Sequence, residues 1–355
     1  MKRKWSLRVL SLALVVAMVL GQGSIATAAE VLTNDSEVVI EEGITEIGPG
    51  AFAECENLKK VHFPKSLKKI SDYAFFNCDK IEEVKIKSKS LTLGDFCFSN
   101  CEALQFAEFP ERVENVGKNA FYKCGELKYI GGMKNVDKID DYAFAECEQL
   151  KISIPHKIKE IGDCAYICSG MKNWSFKDVN NSDLIEYPFN ETIIIIPSSL
   201  EKIGREAFNC CRGITQLYFN QGSKLKEIPF GAFHKCNLMS FIEFPDEMVE
   251  INDYAFAECK SLEEIYLPES IQEIGKQSFR NCKSLNLAMF KGKRKGEELS
   301  KPDAFDGCEN LKILNFSDLE FNTKKIDGES YDVVRKEKNK KSYSITDIKE
   351  FLTKK

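Results

Sequence analysis

Histidine and tryptophan are scarce in this chain, with three and two residues respectively among 355. His62, His156 and His234 are separated in the sequence, and none of them belongs to a recognisable Ser/His/Asp or Cys/His arrangement. The chain also lacks a phosphate-binding glycine loop and an HExxH metal motif. Because these signatures are missing, the sequence predicts a protein that is not an enzyme and that uses no cofactor and no catalytic metal.

Long apolar runs are also missing. The one sizeable run, Val9–Leu20, is too short to span a bilayer comfortably. It follows a basic leader and precedes Ala26-Thr27-Ala28, a small-x-small string of the kind that signal peptidase cleaves. The pattern predicts a signal peptide over residues 1–28 and a secreted or cell-surface protein with no later transmembrane segment. A retained N-terminal anchor is the alternative.

The chain lacks an excess of positive charge, since its formal net charge is −5. The predicted signal peptide carries four basic residues and no acidic ones, so its removal would bring the charge to −9. Sequence-independent binding to nucleic acid requires clustered positive charge. We therefore expect no nucleic-acid partner.

What the sequence does contain is a repeat of about 23 residues, visible first in its aromatic residues. Phenylalanine is abundant, at 25 residues, and most repeats carry an Ala-Phe pair. An Ile or Val, often followed by glycine, lies four residues before the alanine. The aromatic position of the repeat falls at Phe52, Phe75, Phe98, Phe121, Phe144, Tyr166, Phe208, Phe233, Phe256, Phe279 and Phe305.

Each repeat ends in a pattern that favours a short strand. In the first repeat, Leu58, Val61 and Phe63 alternate with polar residues, which suits a strand with one buried face. Pro64 then ends the strand because proline cannot donate to a continuing ladder. The Ile-Gly segment is expected to turn the chain back. One unit cannot bury its own apolar stripe, so the units are expected to stack around a shared core.

The repeated string Ile-Gly-x-x-Ala-Phe-x-x-Cys-x-x-Leu-x-x-Val-x-Phe-Pro, seen at residues 47–64 and with small changes at residues 251–268, resembles the BspA-like class of bacterial surface leucine-rich repeats. The resemblance implies a repeat solenoid, a right-handed superhelix with a parallel β-sheet on its concave side and short helices or turns on its convex side. It also implies a role in adhesion and protein contact. We expect a lead-in over residues 29–37, a solenoid of about eleven repeats over 38–316, and a cap or charged tail over 317–355.

Fourteen cysteines in an exported chain invite a disulfide framework. Most of them, however, recur at one position of the repeat, where a free cysteine serves as a small buried hydrophobe. Cys97, Cys164 and Cys210 fall outside this series. The adjacent Cys210 and Cys211 are the one candidate for redox chemistry that the sequence offers. The series is Cys55, Cys78, Cys101, Cys124, Cys147, Cys168, Cys211, Cys236, Cys259, Cys282 and Cys308.

The repeat is interrupted by an insertion over residues 172–191, which is polar and contains aromatic residues. Long loops in compact repeats often carry function. A degenerate repeat is the competing interpretation. If the insertion is functional, the alternative to a protein-binding module is a secreted enzyme or a carbohydrate-binding accessory protein that uses this loop.

The side chains that flank the buried strand valine point away from the core and should line the concave face. Contiguous exposed apolar surface usually marks an interaction site, although exposed strand positions favour aromatic and branched residues anyway. The sequence predicts that a monomer binds an extracellular protein through this face. The candidate ligand-binding residues are Phe106, Tyr129, Ile193, Ile195, Tyr218, Phe241, Tyr266, Leu287 and Met289.

Overall fold

The computed structural model describes residues 36–151, 154–170, 192–291, 300–301, 303–315, 321–326 and 329–334. The chain forms a parallel β-solenoid of about eleven turns, which confirms the predicted repeat architecture. The predicted signal peptide, most of the lead-in and the insertion at 172–191 lie outside the described residues.

The Leu-x-x-Val-x-Phe segments form the first parallel ladder of the solenoid. Among the described residues its strands form four sheets, within which they pair in register, as where Glu83, Val84 and Lys85 align with Phe106, Ala107 and Glu108. The central residue of each short strand points into the core and its two neighbours point outward. The strands are β1 (Glu37–Val39), β3 (Lys60–His62), β5 (Glu83–Lys85), β7 (Phe106–Glu108), β9 (Tyr129–Gly131), β12 (Thr192–Ile196), β14 (Ile214–Phe219), β16 (Phe241–Ile242), β18 (Glu264–Leu267), β20 (Leu287–Phe290) and β21 (Lys312–Asn315).

The Ile-Gly segments form a second parallel ladder, whereas the sequence predicted only a turn there. Its isoleucines pair from one repeat to the next, as Ile251 does with Ile274, and their side chains are buried. The strands are β2 (Glu46–Ile47), β4 (Lys69–Ile70), β6 (Leu91–Leu93), β8 (Val113–Val116), β10 (Lys138–Ile139), β11 (Glu160–Ile161), β13 (Lys202–Ile203), β15 (Glu227–Ile228), β17 (Glu250–Ile251) and β19 (Glu273–Ile274).

The segment between the second ladder and the next strand of the first ladder consists of tight turns. The one helix among the described residues is a 3-10 turn at Met133–Asn135. Two positions in most repeats adopt left-handed backbone angles. One lies just before the repeat alanine and the other just before the repeat cysteine, as at Tyr73 (φ 58°) and Asn77 (φ 57°). The turns also bond to their neighbours: the Phe75 N–H donates to the Cys97 carbonyl at 2.8 Å.

The aromatic position of the repeat forms a continuous stack through the core. Successive rings are nearly parallel, with centroids from 5.1 Å (Phe52 and Phe75) to 5.6 Å (Phe98 and Phe121) apart. The stack runs through Tyr166, which lies 5.3 Å from the rings on both sides. Offset parallel rings at this spacing add to the free energy gained from burial alone.

The cysteines of the repeat form a second buried series that bonds to this stack. Nine of these thiols, from Cys78 to Cys308, donate to the carbonyl of the aromatic residue one turn earlier, as Cys259 Sγ does to Phe233 O at 3.2 Å. In the sixth turn Ser169 occupies the position, and its hydroxyl donates to Phe144 O at 2.8 Å. The assignment of Cys168 to this series is therefore wrong, because Ser169, not Cys168, lies three residues after the aromatic position, and Cys168 is exposed.

Ser169 suggests how the cysteine position tolerates substitution. We expect Cys259→Ser to lower the free energy of unfolding by no more than about 1 kcal/mol, since the hydroxyl can make the same hydrogen bond. Cys259→Val should lower it by about 2–3 kcal/mol, because valine overfills the site and removes the donor. Urea unfolding followed by circular dichroism measures both changes. Equal tolerance of valine and serine would mean that the site only requires an apolar filler.

The predicted cap or charged tail over residues 317–355 contains an antiparallel hairpin, formed by β22 (Phe321–Ile326) and β23 (Glu329–Val334). Residues 335–355 lie outside the described residues. Within the described ranges, no helix has the length and apolarity needed to cross a bilayer.

Candidate interaction surface on the strand face

The outward side chains of the first ladder form one surface, which we call the strand face. Two side chains per strand contribute to it, and the parallel register places equivalent positions side by side. Glu83, Phe106 and Tyr129 form part of one row, and Lys85, Glu108 and Gly131 form the adjacent part of the other. The composition of the strand face therefore changes along the solenoid as the repeats change.

The N-terminal end of the strand face is ionic. His62 Nε2 contacts Glu37 Oε1, and Lys60 Nζ lies 3.8 Å from the same carboxylate. Lys85 pairs with Glu108, and the hydrogen bond from this ammonium to the carboxylate raises the pKa of Lys85. Opposite charges are thus matched locally across neighbouring strands. Exposed pairs of this kind contribute little to stability.

Phe106 and Tyr129 form the first apolar part of the strand face. They are 46% and 54% exposed, and their strands pair so that the two residues lie opposite each other. The Tyr129 ring lies over Gly131, where a Cβ atom would come within 2.9 Å of the Tyr129 hydroxyl oxygen. A glycine at this point lets the ring lie along the sheet.

A second apolar cluster lies further along the strand face. Ile193 and Ile195 of β12 pair with Gln216 and Tyr218 of β14, and the Tyr218 and Phe241 rings lie 5.3 Å apart. Their side chains are half-buried, as is that of Tyr266. The hydroxyl groups of both tyrosines donate to neighbours on their own strands, Tyr218 to Gln216 Oε1 at 2.9 Å and Tyr266 to Glu264 Oε2 at 2.6 Å. These bonds hold each phenol group against its own strand.

Leu287 and Met289 differ from the expectation that they are exposed, since each is only 7% exposed. Their strand, β20, is buried along its whole length and lies between β18 and β21. The alternation of the sequence predicts the direction in which a side chain points but not whether neighbouring side chains cover it. These two residues therefore contribute little accessible surface to a partner.

A second group of exposed aromatic residues lies on the turns, where the sequence pattern did not predict it. Tyr73 is 45% exposed and stacks on Phe96 at 4.7 Å, and Tyr142 is 38% exposed. Like Tyr254, they lie at the left-handed position just before the repeat alanine. The recurrence of an aromatic residue at that position is a sequence signal that could have revealed them.

The described residues include no grouping of three or more His, Cys, Asp or Glu side chains that could hold a metal ion. His62 pairs with Glu37, while the half-buried His234 lies 3.8 Å from Glu258 and has its pKa lowered mainly by burial. The His156 carbonyl accepts a hydrogen bond from Ser199 Oγ at 2.7 Å. The three histidines thus lie in different turns of the solenoid and in different local environments.

Comparisons with known proteins identify the repeat. The sequence model of the BspA type leucine-rich repeat region matches in six copies, over residues 30–151, 92–194 and 186–312. No protein of curated function matches the chain.

Solved structures of bacterial leucine-rich repeat proteins are similar to the chain. One, a leucine-rich repeat protein from Bacteroides ovatus ATCC 8483, is 27% identical, with 79% of this chain and 74% of that one covered and a TM-score of 0.48. A leucine-rich cell surface protein from Faecalibacterium prausnitzii A2-165 is 23% identical over 79% and 88% of the two chains, with a TM-score of 0.40. The pneumococcal vaccine antigen PcpA is 19% identical over 79% and 74%, with a TM-score of 0.45.

Proposed function

The chain belongs to the BspA-type leucine-rich repeat family, and from this we propose that it is a secreted or cell-surface module that binds another protein through its strand face without catalysing a reaction. The basic leader, apolar run and small-x-small string of residues 1–28 support export. The partner would be an extracellular protein, and adhesion is the role that such binding would serve.

The observation that carries the proposal is the exposed aromatic surface of the strand face. Phe106, Tyr129, Tyr218, Phe241 and Tyr266 recur on a scaffold whose interior already holds its own aromatic stack. Aromatic side chains are favoured anchors of protein interfaces because they bury large areas at a small cost in conformational entropy. Rigid parallel strands hold these rings in place before a partner arrives, which reduces the entropy lost on binding.

The test replaces three of these anchors together. We expect Tyr218→Ser, Phe241→Ser and Tyr266→Ser in one variant to weaken binding at least about a hundredfold, since each anchor contributes roughly 2 kcal/mol when truncated. The full chain without residues 1–28 is immobilised and screened against an array of purified extracellular proteins and glycans. The affinity of the strongest protein hit is then measured for the wild type and the variant by surface plasmon resonance.

A matched control removes three aromatic residues from the turns instead, as Tyr73→Ser, Tyr142→Ser and Tyr254→Ser. This variant should bind the same protein with unchanged affinity. The proposal fails if the two variants bind alike, or if the glycans give the strongest hits and the strand-face variant retains them. Thermal unfolding of both variants establishes that any loss of binding is not a loss of fold.

A further inference from the structure

Cys168 and Cys210 occupy equivalent positions in adjacent turns of the solenoid, although 42 positions separate them in the sequence. Each lies just before the residue of the buried cysteine series, Ser169 and Cys211 respectively. Both have left-handed backbone angles, with φ of 55° and 63°. The other turns carry polar or charged residues or glycine at this position: Glu54, Asn77, Asn100, Lys123, Glu146, Lys235, Glu258, Asn281 and Gly307. The presence of cysteine at this position in two successive turns is therefore a local departure from the repeat.

The backbone holds the two cysteines side by side. The Cys168 N–H donates to the carbonyl of Asn209, the residue before Cys210, at 2.8 Å. Two residues earlier in each turn, the Tyr166 and Phe208 rings lie 5.3 Å apart. A disulfide requires Cα atoms roughly 4.4–6.8 Å apart, and one step between stacked turns falls within this range.

Side chains at this position reach their equivalents in the next turn. Asn77 and Asn100 have the same backbone arrangement, with Asn77 N bonded to Ser99 O at 3.0 Å, and their side chains bond at 2.7 Å. The Cys168 thiol likewise interacts with the side chain of Cys210. Partial burial, together with this neighbour, raises the pKa of Cys168 to about 11.

Accessibility separates this pair from the buried cysteine series. Cys168 is exposed and Cys210 is partly exposed, whereas Cys211 is fully buried and donates to Tyr166 O at 3.0 Å. Burial raises the pKa of Cys211 well above its ordinary value, which disfavours the reactive thiolate. Cys168 also lines an open groove of about 600 Å³, together with Tyr122, Tyr142 and Glu146. A small disulfide can therefore approach Cys168 and Cys210 but not the buried series.

We propose that Cys168 and Cys210 are a redox modification site that forms a reversible disulfide by exchange with a low-molecular-weight disulfide. One cysteine loses its proton to water and its thiolate attacks the small disulfide, which forms a mixed disulfide and releases one small thiolate. The second cysteine, deprotonated in turn, attacks the protein sulfur and expels the other small thiolate. The two small thiolates take up the two protons, so the protein is oxidised and the small disulfide is reduced.

The disulfide would cross-link two neighbouring turns. The ring that it closes contains most of the segment from Tyr166 to Phe208, which is the longest interval between aromatic positions of the repeat. In the oxidised state the disulfide would therefore add a covalent link to the hydrogen bonds that already join these turns, such as Cys168 N to Asn209 O. The pairing also replaces the sequence expectation, which placed redox chemistry at Cys210-Cys211. Cys211 points into the core, while Cys210 faces the neighbouring turn.

The experiment incubates the reduced full chain with oxidised glutathione, alkylates the remaining thiols and maps the peptides by mass spectrometry. We expect the loss of two alkylatable thiols and a linked pair of peptides containing Cys168 and Cys210. Dithiothreitol should restore both thiols, and the far-ultraviolet circular dichroism should not change.

Single variants distinguish a pair from two independent thiols. In Cys168→Ser, Cys210 should stop at the mixed disulfide with glutathione, and Cys210→Ser should give the corresponding adduct on Cys168. Cys164→Ser, which removes another cysteine from outside the buried series, should form the internal disulfide as the wild type does. The proposal is overturned if wild-type Cys168 and Cys210 remain alkylatable, if they accumulate only as separate glutathione adducts, or if Cys210 links to Cys211.

Discussion

Replacing Phe256 with alanine should lower the free energy of unfolding by roughly 3–5 kcal/mol, the cost of truncating a fully buried phenylalanine. The Phe256 ring is inaccessible to solvent and lies between Phe233 and Phe279, 5.4 Å from each. Phe244 packs against its edge at 5.7 Å. The substitution therefore removes contacts with two turns at once and leaves a cavity that the tightly stacked backbone cannot close. Guanidinium unfolding followed by circular dichroism measures the loss.

A matched control for this substitution is Phe241→Ala on the strand face. Its ring is half-buried and contacts Tyr218 but lies outside the aromatic stack. Since this ring is already partly exposed and its removal leaves no enclosed cavity, the expected cost is about 1 kcal/mol. If both substitutions cost the same, the aromatic stack does not determine the stability of the solenoid. Because each turn contacts only its neighbours, the m-value also reports whether part of the chain unfolds separately.

The aromatic stack and the first ladder could be predicted because both repeat a strong signal at constant spacing. A buried phenylalanine every 23 residues, followed by an alternating strand, leaves few arrangements other than stacked turns. The second ladder could not be found in this way. Its strands are mostly two residues long, as at Glu250–Ile251, and two residues cannot show a periodicity.

The backbone conformation of the turns could not be predicted for a different reason. Left-handed backbone angles are usually adopted by glycine or asparagine, which makes them recognisable in a sequence. In this chain tyrosine, glutamate, lysine and cysteine also adopt them, as Tyr254 and Glu258 do. Stacking on the adjacent turn compensates for the local conformational cost, through bonds such as Glu258 N to Arg280 O at 2.7 Å. Tertiary contacts, rather than local preference, thus decide these conformations.

For the candidate site, the sequence predicts the direction in which each side chain points but not how exposed that side chain is to solvent. The rule that alternate strand residues point outward places Phe106 and Tyr129 in solvent, as the structure does. The same rule fails to predict the burial of Leu287 and Met289, which depends on how neighbouring side chains pack over them. The Cys168–Cys210 neighbourhood could be found only after the turns were aligned on Tyr166 and Phe208 rather than on the cysteines.

Replacing Gly117 with alanine should lower the free energy of unfolding by about 3 kcal/mol or more, because the added methyl group has no space. A Cβ atom at Gly117 would lie 2.6 Å from the carbonyl carbon and oxygen of Gly94 in the preceding turn. Both are backbone atoms, so no side chain can rotate away to relieve the contact. Relief requires separating the two turns, which would lengthen the bonds between them, such as Phe96 N to Lys118 O and Phe98 N to Ala120 O.

Gly125→Ala is the matched control because it makes the same chemical change in the same part of the solenoid. A Cβ atom at Gly125 has no neighbour within 4 Å, and its backbone angle is not left-handed. Alanine there should leave stability unchanged or raise it by up to about 1 kcal/mol, since it restricts the unfolded chain. Thermal unfolding of both variants gives the comparison. A tolerated Gly117→Ala would mean that neighbouring turns can separate at the glycine without loss, and the close backbone approach would then not be what requires glycine after the second ladder.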